Sequence, residues 1–99
     1  MPMVTVRRGG AAREAWIFNG ATSVDVIWIG NAKISQPLNL GPGFFALLWA
    51  ASGQIGAPFS FRVEGNSVTA QPVDGVISHS GFTTGRRLFR VRDEGEGNV

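Results

Sequence analysis

The chain has 99 residues, no cysteine, one histidine and a formal net charge of +2, and 43% of it is hydrophobic, with three Trp and seven Phe. This length predicts a single domain, and the inventory excludes a disulfide scaffold and leaves no chelating spacing of metal ligands. A domain this small buries only about 60–65% of the surface that its unfolded chain exposes, so the apolar excess points to a subunit interface.

Residues 1–8, Met-Pro-Met-Val-Thr-Val-Arg-Arg, lack the apolar core of a secretory signal because the run breaks at Arg7-Arg8. The expectation is a protein made in the cytoplasm without a signal peptide. The longest uninterrupted apolar run, residues 44–51, is eight residues, far short of the ~20 that a membrane helix needs. No membrane partner is expected.

Alternation of Val4 and Val6 with Thr5 and Arg7 predicts a half-buried strand over residues 3–8, ended by Gly9-Gly10. Residues 14–18 lead into Asn19-Gly20, and residues 22–29 leave it. Four such pairs, Asn19-Gly20, Gly30-Asn31, Gly65-Asn66 and Asp74-Gly75, lie between runs rich in Val, Ile, Phe and Trp. Gly adopts positive φ freely and Asn or Asp at modest cost, so each pair predicts a two-residue β-hairpin. In residues 24–29, Val24, Val26 and Trp28 share one face and Asp25, Ile27 and Ile29 the other. With both faces largely apolar, this strand is expected at the centre of a sandwich or under another subunit.

The Gly30-Asn31 turn returns the chain through residues 32–36. Residues 37–43, with two Pro and two Gly, predict a long crossover loop without pairing. Residues 44–51 suit a buried strand or a short helix; the flanking Gly-Pro-Gly and Ser-Gly limit the length to that of a strand. In residues 58–63, Phe59, Phe61 and Val63 face inward, while Ser60, Arg62 and Glu64 face outward. Strands over 67–73 and 76–80 follow, then a Gly-bounded loop at 81–85 and a last strand over 86–92. Eight or nine short strands at this spacing predict an all-β, antiparallel β-sandwich or small barrel of jelly-roll or Greek-key type. The domain is expected to span residues 1–92. Residues 93–99, which carry Asp93, Glu94 and Glu96, form an acidic tail after a body that holds all nine basic residues.

In the last strand, Arg86, Leu88, Arg90 and Arg92 share a face by the two-residue period, and Arg87, Phe89 and Val91 share the other. Guanidinium groups so spaced suit phosphates or carboxylates. Binding of nucleic acid would also need aromatic residues interleaved on the arginine face, and none is expected there, because the one aromatic residue here, Phe89, points to the opposite side. Solvated edge charges or ion pairs between subunits are the favoured readings.

Ser78, His79, Ser80 and Asp74 supply the residue types of a hydrolytic triad. They lie too close along one segment to converge, because successive strand residues point to opposite faces. Neither a nucleophile-elbow motif nor a phosphate loop is present. No enzymatic activity and no cofactor are expected. Trp16, Trp28 and Trp49 could serve as sugar platforms, with Asn19, Asn39 and Gln54 bonding hydroxyls, although core or interface packing is the commoner role of such tryptophans.

Together these features predict a structural or assembly subunit that is not an enzyme. It would be a homo-oligomer or bind other structural proteins, as a capsid-decorating, cement or tail component of a virus or phage particle does. The expected interface comprises Ile27, Trp28, Ile29, Phe44, Phe45, Leu48, Trp49, Arg86, Leu88, Arg90 and Arg92. A lectin-like module that binds a glycan is the alternative, and a nucleic-acid-binding domain ranks third.

Overall fold

A computed structural model describes residues 3–92; the acidic tail expected at 93–99 lies outside the described residues. The strands, in chain order, are β1 (Met3–Gly10), β2 (Ala12–Asn19), β3 (Thr22–Val26), β4 (Leu38–Asn39), β5 (Gly43–Ser52), β6 (Pro58–Glu64), β7 (Val68–Thr69), β8 (Val73–Val76) and β9 (Phe82–Val91). They form one sheet in the order β4-β1-β6-β8 and a second in the order β3-β2-β5-β9-β7. All pairings are antiparallel, as expected of a small β-sandwich.

Period-two alternation builds the core. Val4, Val6, Phe59, Phe61 and Val73 project from the four-stranded sheet to meet Ala15, Ile17, Phe45, Leu47, Phe89 and Val91 from the five-stranded one. Burial of each large side chain contributes roughly 1.5–3 kcal/mol. Residues 44–51, ambiguous between strand and helix, lie within the ten-residue β5. Phe59 and Phe61 are buried and Val63 partly so, in agreement with the expected alternation.

Ala11 joins the two sheets. Gly9 and Gly10, expected to end the first strand, still pair with Ser60 and Phe59. Gly10 then takes φ +61° and lies so close to Pro58 that an added Cβ would meet its carbonyl group. Ala11 N–H donates to Pro58 O at 2.9 Å, which fixes the corner.

The four predicted hairpins fare differently. Asn19-Gly20 joins β2 to β3 as expected, with Asn19 opposite Thr22. Gly30-Asn31 forms a turn closed by Ala32 N–H to Ile29 O, but its flanks form no regular ladder. At Gly65-Asn66 the chain turns, yet β6 and β7 belong to different sheets. Asp74-Gly75 is no turn at all, because both residues lie inside β8. Gly75 meets a different need: directly opposite Phe59, it leaves room for the ring, whose Cζ would be 2.7 Å from a Cβ there.

Other boundaries shift for similar reasons. The strand expected over 22–29 stops at Val26 and is an edge strand rather than a central one. Residues 82–85, expected as a loop, belong to β9 and pair with β5. Of the strand expected over 67–73 only Val68, Thr69 and Val73 lie in strands, and of the one expected over 76–80 only Val76 does, because β8 runs through the expected Asp74-Gly75 turn. Leu38 and Asn39, inside the expected crossover, pair with Val4 and Met3.

Residues 33–36 cover the outer edge of β1. Ser35 N–H donates to Val6 O at 2.9 Å, and Val6 N–H donates to the Ser35 hydroxyl at 2.8 Å. A side-chain oxygen thus replaces the carbonyl that a neighbouring strand would supply. Arg8 N–H donates to Lys33 O at 2.8 Å. The buried edge is thereby satisfied where no regular strand lies beside it.

Candidate functional site

The outer face of the five-stranded sheet gathers the exposed apolar and basic side chains. Its register sets Asp25, Trp16, Leu48 and Arg86 in one cross-strand row and Ser23, Phe18, Ala46 and Leu88 in the next. Phe44 and Arg90 form a third. Each row alternates in parity with the inward residues Ile17, Leu47 and Phe89, and so lies on the side away from the other sheet. Phe44 is 75% exposed and Leu88 69%. With Phe18, Ala46, Leu48 and Arg86 they line a shallow depression.

Charge on this face is asymmetric. Arg86 and Arg90 stand on β9, with the Arg90 guanidinium 5.6 Å from the centre of the Phe44 ring. Asp25 stands on β3, at the far edge, and Glu14 on β2. Asp25 and Arg86 have no ion-pair or side-chain hydrogen-bond partner among the described residues.

Of the expected interface residues, the fold brings Phe44, Leu48, Arg86, Leu88 and Arg90 together here. Phe45 and Trp49 point into the core instead, and Phe45 is only 8% exposed. Trp28 is also turned inward: its Nε1–H donates to Val6 O at 3.0 Å, and its ring lies 6.5 Å from that of Phe61. Ile27 and Ile29 are exposed, but in the segment beyond β3. Arg92 lies past the end of β9, where its N–H donates to Ser67 O. Trp16 and Phe18 belong to the face but were missed, because their membership depends on the pairing of β2 with β5.

This pairing also corrects the expectation that no aromatic residue shares the arginine face. Phe44 stands beside Arg90, Trp16 lies in the Arg86 row and Phe18 in the Leu88 row. The aromatic groups come from neighbouring strands rather than from β9 itself.

β9 has β7 beside it only at Arg90 and Val91, and residues 78–80 hydrogen-bond Phe82 and Thr83, so among the described residues no strand covers the edge over residues 84–89. Arg87 lies on that stretch. Arg7 and Arg8 are in the other sheet and have local partners. Arg7 pairs with Glu64 at 3.1 Å. Arg8 donates to the carbonyls of Arg13, Gly30 and Ala32, and its guanidinium lies 4.7 Å from the centre of the Trp28 ring.

The other expected sites disperse. Ser78 and Ser80 both donate to Phe82 O, at 2.8 and 2.9 Å, and Asp74 faces Arg62 at 3.7 Å. Asn19 and Asn39 line one depression with Leu40 and Pro42, away from any tryptophan. Among the described residues no cluster of three His, Asp or Glu side chains is placed to hold a metal, and no helix is long and apolar enough to cross a membrane. No protein-family model, curated protein or solved structure matches this chain.

Proposed function

We propose that the protein is a non-enzymatic, self-associating structural subunit of the kind that decorates or cements a virus or phage particle. The observation that carries the self-association is the apolar outer face of the five-stranded sheet, where Phe44 and Leu88 are exposed beside Phe18, Ala46 and Leu48. Contiguous apolar surface rimmed by charge is characteristic of interaction sites. Assignment to a particle rests on composition and architecture: a small, Cys-free β domain with surplus apolar surface. Light scattering across a dilution series, at low and high salt, tests the reading. The expected mass is a multiple of 10.5 kDa, lowered by Phe44→Ser or Leu88→Ser. A monodisperse 10.5 kDa monomer at every concentration overturns it.

A second reading is favoured by the aromatic and arginine side chains of the same face. Trp16, Phe18 and Phe44 beside Arg86 and Arg90 have the composition of a platform for single-stranded nucleic acid. Fluorescence anisotropy with a labelled oligonucleotide tests this reading. Affinity that falls steeply with salt and is lost in Phe44→Ala supports it, and no binding at low salt overturns it.

A further inference from the structure

The outer face carries its acid and its base on opposite sides, and this decides how two copies fit. Asp25 on β3 and Arg86 on β9 lie at the two ends of one cross-strand row, with Trp16 and Leu48 between them. They are three strand spacings apart, about 14 Å, and so do not meet within one chain. We propose that two copies pack face to face about a two-fold axis that runs parallel to the strands, between β2 and β5. The arrangement presupposes the self-association proposed above and specifies its geometry.

Rotation about such an axis keeps each residue at its own level along the strands and exchanges the two sides of the sheet. β3 then lies over the partner's β9, and β2 over the partner's β5. Asp25 faces the partner's Arg86 twice over, once from each copy. At the centre Trp16 lies over the partner's Leu48 and Phe18 over the partner's Ala46, so that a large side chain meets a smaller one in each row. Sheets pack about 10 Å apart, a span that an extended Arg and an Asp cover together. An in-plane axis perpendicular to the strands would instead stack β9 on β9 and set the arginines of one copy, Arg86 and Arg90, against those of the other, which like charge opposes. An isologous contact of this kind closes on itself as a dimer.

Charge reversal tests the geometry. Asp25→Arg and Arg86→Asp each set like charges against each other at both ends of the contact. Each alone is expected to raise the dimer dissociation constant by roughly tenfold or more, measured by sedimentation equilibrium in 0.1 M salt. Mixed in equal amounts, the two variants restore both opposite-charge pairs in a heterodimer, and the mixture is expected to return to within about threefold of the wild-type affinity. Circular dichroism of each variant checks that the sheet is intact. A wild-type dimer whose singly reversed variants still associate normally, or fail to complement each other, overturns the proposed axis and leaves self-association standing. A wild-type monomer at all concentrations overturns both.

Discussion

Trp49 and Phe59 meet across the sandwich with their ring centroids 4.9 Å apart, and each ring lies over a glycine on the adjoining strand of its own sheet. Trp49 pairs with Gly85 and Phe59 with Gly75. The two glycines leave the volume that lets two large aromatic groups occupy one layer of a small core. The indole N–H of Trp49 is buried there without a hydrogen-bond partner among the described residues, so packing alone holds the ring in place.

Gly85→Ala is therefore expected to destabilise the fold by about 1–3 kcal/mol, as overpacking does in a core without free volume. A Cβ there would come within 2.8 Å of Trp49 Cε2 and 2.9 Å of Cη2. Gly75→Ala is expected to act in the same direction through Phe59. Neither glycine has positive φ, so the loss reports crowding rather than backbone strain. Urea denaturation measures it; an alanine tolerated at both sites would show that the rings are not confined.

Ser35→Ala removes the acceptor for Val6 N–H at a position only 5% exposed. Leaving that buried donor unpaired is expected to cost about 1–3 kcal/mol. Hydrogen exchange at Val6 checks the cause. Its amide should lose protection in the variant, whereas an unchanged exchange rate would mean that another acceptor takes over.

Adjacent positions on β5 separate core from face. Phe45→Ala is expected to cost about 3–5 kcal/mol, in the range of large core deletions. Phe44→Ala should change the stability of the dilute monomer by no more than about 1 kcal/mol, because the ring is largely exposed. Denaturation at low protein concentration reads both, and equal losses would contradict the alternation of this strand.

The Arg7–Glu64 pair is a control. At 3.1 Å its geometry is good, but the two side chains are 45% and 44% exposed. Solvent and salt screen such a pair, so Glu64→Gln is expected to shift stability by no more than about 0.5 kcal/mol. Thermal unfolding at two salt concentrations measures it. A loss above about 1 kcal/mol would show that the pair belongs to a wider network.

What local chemistry dictates was legible in the residues alone. Alternation identifies residues 58–63 as a strand with Phe59 and Phe61 inward, because side chains on an extended chain change face at every step. The flanking glycines limit residues 44–51 to the length of a strand, and Asn19-Gly20 forms its hairpin because a φ of +59° at Gly20 suits a tight turn. These features require only neighbours in sequence. Sheet membership does not, since each ladder joins residues far apart along the chain, as Gly43 with Val91 and Thr5 with Glu64. Only tertiary packing therefore decided that Gly75 lies under a ring and not in a turn, and that the chain leaves β3 at Val26 to bring Trp28 under Arg8. The same packing assembled the outer face. Trp16, Phe44 and Arg90 become neighbours only when β2, β5 and β9 take their places side by side, a choice set by the core they enclose and not by any one strand.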